Sequence, residues 1–389
     1  MNSLITQINE NAAGISIPGI RVFANKVNLL PDGINLTIGE PDFPTPEPIK
    51  QAAVAAITNN LTGYSHNAGL LSLRKSVSRH FHQSYGFAYD PEHEILITNG
   101  ASSGIDAALR TILREGDEVI LPAPIYSGYD PVIRLAGGVP VYLDTSDTGF
   151  KPDPVRLEAL VTLRTKAVIL NYPSNPTGAT LDRDTTDRLA DVLSRHDLFV
   201  ISDEIYSENV YSGPHISLAS YPSLRNQLIL IHGLSKSHSM TGWRVGFVLA
   251  PRFLTEQILK VHMSNSICAS LPSQYAAIEA LETCRDIPKE MNKAYIRRRD
   301  YAHRRLTEMG LDVELPTGAF YLFPSITRTR LGSWEFAEKL LDSQHVAVVP
   351  GGSFTSYGEG FIRISYATSM DTLVKGLDRM ETFLHELQP

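Results

Sequence analysis

Apolar runs of strand length alternate with helical patterns between about residue 50 and residue 285. The runs are EILIT, DEVILP, KAVILNY, LFVISDE, LILIHG and RVGFVLA, and the helical patterns between them include GIDAALRTIL and TTDRLADVLSRH. Continuous apolar strands separated by helices are typical of βαβ units, in which helices cover both faces of a mostly parallel sheet. LILIHG and RVGFVLA are too close together in the sequence for a helical crossover, so these two strands can instead be antiparallel.

The pattern changes after about residue 285. A long charged helix, IPKEMNKAYIRRRDYAHRRLTEMG, precedes the short strands AFYLFP, VAVVPG and GFIRISYA and a closing helix, SMDTLVKGLDRMETFLHEL. We therefore predict three segments: an N-terminal arm with part of a small domain over 1–45, a large α/β domain over 46–285, and a smaller α+β domain over 286–389. Because the whole chain is acidic, we interpret the run Arg297, Arg298 and Arg299 as a solvated helix face.

Composition narrows the class of protein. The 389 residues are enough for two domains, and 35 basic against 42 acidic residues give a formal charge of −7, which disfavours nonspecific nucleic-acid binding. Cys268 and Cys284 are too few for a disulfide framework, and no C-x-x-C spacing indicates a metal. The first twenty residues lack a signal-peptide pattern, and no apolar run reaches the length of a bilayer span. We expect a cytoplasmic protein that binds neither nucleic acid nor membrane.

Polar residues directly follow several of the apolar runs. In open α/β sheets, ligands bind beyond the carboxyl ends of the strands, so these positions belong together. EILIT is followed by NGASSG, residues 99–104, and a helix begins near Ile105. Small residues at the start of a helix leave backbone N–H groups free to bind a phosphate. An ordinary strand-to-helix turn without a ligand has the same sequence pattern. AVILNY is followed by PSNPTG, where Asn175 offers both a donor and an acceptor, or forms an Asx-type turn.

Two further strand ends carry charge. FVIS ends in Asp203 and Glu204, and a carboxylate beside a buried strand needs a partner, unless it caps the next helix. LILIHG is followed by Lys236 between two serines. A buried lysine loses proton affinity and becomes an amine nucleophile, whereas an exposed one is an ordinary surface cation. Arg244 can add a second phosphate contact. A phosphate-binding loop, an amide, a carboxylate and a lysine together suit pyridoxal phosphate. This cofactor has a phosphate, a phenolic oxygen for a donor, a pyridine nitrogen for an acid and an aldehyde for a lysine.

Over essentially its whole length the chain resembles the class I/II aminotransferases of pyridoxal-phosphate fold type I. The matching phrases, in the family's order, are LTIGEPDFPTP, TGYSHNAGLLSLRKSV, ITNGASSGIDAAL, GDEVILPAPIYSGY, LNYPSNPTGATL, VISDEIYSE, GLSKSHSMTGWRVG, PTGAFYLFP and GFIRISYA. The resemblance implies an α/β large domain with a mostly parallel seven-stranded sheet covered by helices, plus a smaller α+β domain. It also implies pyridoxal 5′-phosphate as cofactor and an amino acid and a 2-oxo acid as substrates, with glutamate and 2-oxoglutarate as one pair.

The phrases IPGIRVF, GLSKSHSMTGWR and SYGEGFIRISYATSMDTLVKGLDRME are similar to bacterial N-acetyl-L,L-diaminopimelate aminotransferases of lysine biosynthesis. The alternatives are a broad or aromatic amino-acid aminotransferase and a cystathionine β-lyase, which shares this fold. A regulator built on an aminotransferase domain would carry a DNA-binding extension. The phrases that match the family span essentially the whole chain and the net charge is −7, and both observations disfavour a regulator.

The resemblance implies roles around the cofactor ring. Lys236 would bind the cofactor aldehyde and, once displaced by an amino acid, would move the proton from the substrate Cα. Asp203 would face the pyridine nitrogen and keep it protonated. Asn175 and Tyr206 would donate hydrogen bonds to the phenolic oxygen, and Tyr126 would lie on the ring face. Lys236, Asp203 and Tyr126 form the implied catalytic set.

The resemblance also assigns the phosphate contacts. They would come from the backbone of Ala101 and Ser102 and from the side chains of Ser235 and Arg244. Tyr64 would reach the phosphate from the neighbouring subunit, which implies a homodimer.

The implied substrate contacts are Gly39, Asn175 and Arg363. The Arg363 guanidinium would grip the substrate carboxylate as a planar bidentate pair, and the Gly39 backbone would contact the same group. Because Arg363 and the cofactor residues fall in different domains, substrate binding could close the cleft and exclude water. Asn265, in the segment VHMSNSICAS, is a candidate contact to the substrate side chain, or an ordinary helix-face residue.

Overall fold

The computed structural model describes residues 4–387, apart from the side chain of Thr6. The strands are β1 Ile34–Asn35, β2 Ile95–Thr98, β3 Glu118–Ala123, β4 Val139–Asp144, β5 Thr165–Asn171, β6 Phe199–Asp203, β7 Leu228–Gly233, β8 Gly246–Leu249, β9 Tyr321–Leu322, β10 Val346–Ala347, β11 Val349–Pro350 and β12 Ile362–Ser365. The α-helices are α1 Glu10–Ala13, α2 Gly19–Val27, α3 Glu47–Thr58, α4 Leu71–Tyr85, α5 Ala101–Ile112, α6 Tyr129–Leu135, α7 Pro154–Ala159, α8 Arg183–Ser194, α9 Arg252–Ser266, α10 Leu271–Glu282, α11 Ile287–Glu308, α12 Ser333–Gln344 and α13 Met370–Glu386.

Seven strands form one mixed sheet in the order β2-β8-β7-β6-β5-β3-β4. Strands β3 to β7 run parallel to one another, whereas β8 is antiparallel to both β2 and β7. The mostly parallel sheet and the antiparallel pairing of LILIHG with RVGFVLA are thereby confirmed. The sequence pattern missed β4, VPVYLD, because Pro140 interrupts its run of strand-forming residues; the strand lies at the edge of the sheet and is only partly buried.

Helices cover both faces of this sheet. In β5, Ala167 and Ile169 pack toward the face covered by α5 and α9. Val168 and Leu170 pack toward the opposite face, with α8. Because successive side chains of a strand point to opposite faces, burial on both faces requires an apolar residue at nearly every position. That requirement explains the uninterrupted apolar runs of the sequence.

A second core lies beside the sheet and contains Phe23, Leu36, Leu306, Phe336 and Leu377. It joins the head of the chain to the C-terminal helices and to two small sheets, β1-β10 and β11-β12-β9. The apolar run VAVVPG supplies both β10 and β11, because the chain passes from one small sheet to the other within it. The boundaries at 45/46 and 285/286 stay a prediction.

The interpretation of the arginine run in α11 as a solvated face was wrong. Arg297 is exposed, but Arg298 is buried and donates to both oxygens of Asp42, at 2.7 and 2.8 Å. Arg299 is half-buried. The buried stripe of α11 recurs at helical spacing and consists of Met291, Tyr295, Arg298, Ala302 and Leu306. Register on the helix, rather than local charge, therefore decides which arginine meets water.

No helix within residues 4–387 combines the length and apolar character needed to cross a membrane.

Candidate active site

A cavity of about 380 Å³ opens at the carboxyl ends of β5, β6 and β7, between the large sheet and the second core. Eleven of the thirteen candidate site residues named from the sequence line it: Gly39, Ala101, Ser102, Tyr126, Asn175, Asp203, Tyr206, Ser235, Lys236, Arg244 and Arg363. Tyr64 and Asn265 are the exceptions. The topology explains this convergence, because the carboxyl ends of neighbouring parallel strands lie at one edge of the sheet.

Lys236 follows the end of β7 and reaches into the cavity. Its Nζ donates a 2.7 Å hydrogen bond to the carbonyl of Gly39 and lies 5.9 Å from the ring centroid of Tyr206. Burial lowers the pKa of Lys236 to about 8; the Glu40 carboxylate opposes this shift, and the positive charge of Arg363 adds to it. At pH 7 about a tenth of such an amine is neutral, compared with well under a thousandth at its ordinary pKa. The cavity therefore holds an amine that can act as nucleophile or base.

Asp203 is the last residue of β6, and its side chain is buried. One oxygen accepts a 2.6 Å hydrogen bond from the Tyr129 hydroxyl, and the other accepts a 3.1 Å bond from the N–H of Ile205. Burial raises the pKa of Asp203 to about 6, although both hydrogen bonds oppose the shift. The carboxylate is held in place by neutral donors, and a cationic ligand group beside it would favour its ionised form.

Arg363 lies in β12 and is only 1% exposed. One guanidinium nitrogen donates a 2.7 Å hydrogen bond to Oδ1 of Asn175, a second donates to the carbonyl of Thr37, and the group lies 4.4 Å from the ring centroid of Tyr321. Its Nε is buried without a hydrogen-bond partner in the described chain. Burial lowers the pKa of Arg363. A buried cation with a spare donor suits a carboxylate ligand.

The start of α5 forms an anion site. Its N-cap, Gly100, has φ of 82°, and no side chain caps the helix. A Cβ on Gly100 would overlap the guanidinium of Arg244, which also donates a 2.9 Å hydrogen bond to the carbonyl of Thr241. The N–H groups of Ala101 and Ser102 therefore open onto the cavity beside a cation. This arrangement fits the phosphate of the expected cofactor.

Two tyrosines that sequence reasoning left without a role complete the cavity. Tyr129 holds Asp203 and packs edge-on against Tyr126, with ring centroids 5.4 Å apart. Tyr321 shares a 2.6 Å hydrogen bond with the hydroxyl of Tyr206, and its own hydroxyl oxygen occupies the space that a Cβ on Gly39 would need. Both lie in phrases that carry the family resemblance, IYSGY and AFYLFP, which was the available signal.

Tyr64 and Asn265 lie outside the cavity of this chain. The Tyr64 side chain is 80% exposed, in the loop between α3 and α4. Asn265 is exposed on α9, and its amide lies 3.4 Å from the carboxylate of Asp106. Contact of Tyr64 with a neighbouring subunit therefore stays a prediction.

Comparisons with known proteins agree with this geometry. Residues 31–380 match the model of the family "Aminotransferase class I and II". The chain is 52% identical over 97% of its length to a probable N-acetyl-LL-diaminopimelate aminotransferase of Bacillus subtilis, covering 95% of that protein. The fold superposes on an aromatic aminotransferase from Pyrococcus horikoshii with a TM-score of 0.89 and 42% identity, covering 94% of this chain and 99% of that one. For aspartate aminotransferase from Thermus thermophilus with maleate, the TM-score is 0.92 and the identity 34%, covering 96% and 99%.

Proposed function

The chain belongs to the class I and II aminotransferases, enzymes that depend on pyridoxal phosphate, and we propose that its cavity holds this cofactor together with the reacting amino acid. The observation that carries the proposal is the joint presence of Lys236, Asp203 and Arg363 around one cavity. These residues supply an amine of lowered pKa, a carboxylate for a ring cation and a guanidinium for a carboxylate.

The cofactor is held at its phosphate and at its ring. The N–H groups of Ala101 and Ser102, the Ser235 hydroxyl and the Arg244 guanidinium would bind the phosphate. At the ring, Asp203 would stabilise the protonated pyridine nitrogen, and Tyr126 would pack on the face. Asn175 and Tyr206 would donate to the phenolic oxygen. The amide of Asn175 is free to do so, because its carbonyl oxygen already accepts from Arg363.

Pyridoxal phosphate, when bound, supplies an aldehyde that condenses with amines and a ring that withdraws the electron pair left at the substrate Cα. Lys236 would hold that aldehyde, and its amine would take the proton from the substrate Cα. Its lowered pKa makes it an effective base near neutral pH, and its tether keeps it at high effective concentration.

Arg363 and Gly39 orient the substrate. The guanidinium binds the α-carboxylate through donors that include the spare Nε, and the Gly39 backbone contacts the same carboxylate. Because Arg363 is anchored in the second core, a bound amino acid bridges this core and the large sheet, and closure of the two would exclude water.

We propose N-acetyl-L,L-diaminopimelate with 2-oxoglutarate as the physiological pair, which would place the enzyme in lysine biosynthesis. The 52% identity to the Bacillus subtilis protein over 97% of the chain supports this assignment. A second candidate is an aromatic amino-acid aminotransferase, favoured by the 42% identity to the Pyrococcus horikoshii enzyme.

The test is a half-reaction screen of the cofactor-loaded enzyme against glutamate, phenylalanine, tyrosine and N-acetyl-L,L-diaminopimelate. Stopped-flow absorbance of the cofactor gives a specificity constant for each amino acid. We expect N-acetyl-L,L-diaminopimelate to exceed the aromatic substrates. If it gives no better specificity constant than phenylalanine or tyrosine, the narrow assignment is wrong and the aromatic candidate replaces it.

The proposal includes a cytoplasmic homodimer in which Tyr64 reaches the phosphate of the neighbouring subunit. Its 80% exposed side chain leaves the hydroxyl available for such a contact. Tyr64→Phe should weaken cofactor affinity about tenfold, the effect of one hydrogen bond to a charged group, without changing thermal unfolding of the cofactor-free protein. A fully active monomer in sedimentation velocity would contradict the dimer.

A further inference from the structure

Two buried tyrosines of the cavity, Tyr206 and Tyr321, share a hydrogen bond that the proposed mechanism does not use. Their hydroxyl oxygens are 2.6 Å apart. Tyr206 lies three residues after β6 of the large sheet, whereas Tyr321 lies in β9, which pairs with the strand that carries Arg363. The hydrogen bond therefore joins the side of the cavity that would hold the cofactor ring to the side that would bind the substrate carboxylate.

A count of protons decides which hydroxyl donates. Burial raises the pKa of both tyrosines, and the positive charge of Arg363 only partly offsets the shift, so each hydroxyl keeps its proton near neutral pH. A tyrosine hydroxyl has a single proton to donate. In the proposed function Tyr206 donates that proton to the phenolic oxygen of the cofactor. The bond between the two hydroxyls then requires Tyr321 as donor and Tyr206 as acceptor.

The surroundings of Tyr321 suit a donor. Its ring centroid lies 4.4 Å from the guanidinium of Arg363, and a positive charge there stabilises negative charge on the hydroxyl oxygen, which makes the proton easier to share. Within residues 4–387 this hydroxyl has no hydrogen-bond partner other than Tyr206. Its position is fixed by close packing, because a Cβ on Gly39 would overlap its oxygen.

We propose that Tyr321 is a positioning residue for the cofactor: it donates to Tyr206 and so strengthens the hydrogen bond that Tyr206 donates to the phenolic oxygen. The inference rests on the proposed function, because it needs pyridoxal phosphate in the cavity. A hydroxyl that accepts one hydrogen bond becomes a stronger donor in the next, because each bond polarises its neighbour. A stronger bond to the charged phenolic oxygen favours that charge, so the bound cofactor loses its proton at a lower pH.

Asn175, the other donor proposed for the phenolic oxygen, has a matching support. Its Oδ1 accepts a 2.7 Å hydrogen bond from Arg363. Arg363 lies in β12, and Tyr321 in β9 pairs with Ser365 of the same strand. Two neighbouring strands of one small sheet thus support both donors, Arg363 through Asn175 and Tyr321 through Tyr206.

The experiment is a pH titration of the absorbance of pyridoxal phosphate bound to the full-length enzyme, without substrate. For Tyr321→Phe we expect the midpoint about 0.2 to 0.6 pH units above that of the wild-type enzyme, since one hydrogen bond strengthens the next by roughly 10–30%. Tyr206→Phe removes the donor itself and should raise the midpoint by about 1 to 2 units. In the Tyr206→Phe background, Tyr321→Phe should add less than about 0.1 units, because no hydroxyl remains for it to act through.

Two further variants separate this role from a structural one. Tyr366 is a buried tyrosine of the second core that donates a 3.3 Å hydrogen bond to the carbonyl of Ala319 and does not line the cavity. Tyr366→Phe therefore removes a comparable hydroxyl and should leave the midpoint unchanged. Replacement of Tyr321 by 3-fluorotyrosine keeps the shape but gives a stronger donor, so it should shift the midpoint downward, and it serves as the test if Tyr321→Phe does not fold.

A midpoint that is unchanged in Tyr321→Phe, or equal shifts with and without the Tyr206 hydroxyl, would overturn the assignment of Tyr321. A lower midpoint in Tyr321→Phe would also overturn it, because Tyr321 would then compete for the proton of Tyr206. Failure of the proposed function looks different, since the wild-type enzyme would then bind no pyridoxal phosphate and give no absorbance to titrate.

Discussion

Replacement of Asp203 by asparagine should stabilise the cofactor-free protein while it destroys activity. The carboxylate is buried, and burial raises its pKa from 3.8 to about 6. A raised folded-state pKa means that the neutral acid is the form the fold prefers. The stability contributed by that acid is fully present below the unfolded pKa and is lost as the pH rises through about 6.

The magnitude follows from the shift of about two pKa units. Each unit corresponds to about 1.4 kcal/mol, so ionisation of Asp203 costs about 3 kcal/mol at pH 7.5 and about half of that at pH 5. For a chain of 389 residues the entropy of unfolding is about 0.8 kcal/mol per kelvin. Asp203→Asn, which cannot ionise, should therefore melt roughly 4 °C higher than the wild-type protein at pH 7.5.

The assay is thermal unfolding of both cofactor-free proteins, followed by circular dichroism at one scan rate, at pH 5 and pH 7.5. Asp342→Asn serves as control, because Asp342 is exposed on α12 and its substitution should change neither melting temperature. With pyridoxal phosphate bound, the order should reverse, since the carboxylate then has its cationic partner. A variant of Asp203 that melts no higher at pH 7.5, or gains equally at both pH values, would refute the reasoning.

Gly39→Ala should destabilise the fold by about 1–3 kcal/mol and so lower the melting temperature, because the new Cβ overlaps the Tyr321 hydroxyl. It should also slow the half-reaction. An unchanged melting temperature would contradict the close approach of Gly39 to Tyr321. Arg298→Met should cost roughly 1–3 kcal/mol in urea unfolding, because it leaves the carboxylate of Asp42 without its bidentate partner. The neighbouring Arg297→Met should stay within about 0.5 kcal/mol, and equal effects of the two would contradict the assigned register.

The large sheet could be predicted because each of its buried strands leaves an apolar run in the local sequence. Strands buried on both faces must be apolar at consecutive positions, so β2, β3, β5, β6, β7 and β8 stand out in the sequence. The edge strand β4 did not, since Val139 is exposed and three of its other five residues are only half-buried. The runs AFYLFP, VAVVPG and GFIRISYA did indicate the short strands of the second core. The division of VAVVPG into β10 and β11 could not be predicted, because two residues cannot define a pattern.

The cavity could be predicted in part. Asp203 ends β6 and Lys236 lies three residues after β7, and topology alone brings such positions together. Tyr129 and Tyr321 reach the cavity through helix and inter-core packing, which leaves no periodic pattern in the local sequence, although both lie in phrases that carry the family resemblance. Their roles follow only from distances, such as the 2.6 Å bond that Tyr129 donates to Asp203.

The most direct test of the account is the half-reaction of Lys236→Ala. Pyridoxal-phosphate-loaded wild-type enzyme mixed with L-glutamate, without any 2-oxo acid, should form one 2-oxoglutarate per site and convert the cofactor to pyridoxamine phosphate. The variant, loaded with the same cofactor, should do so at least 100-fold more slowly, because it lacks the base that takes the Cα proton. A rate within a few-fold of wild type would contradict the assignment of Lys236, whatever the substrate.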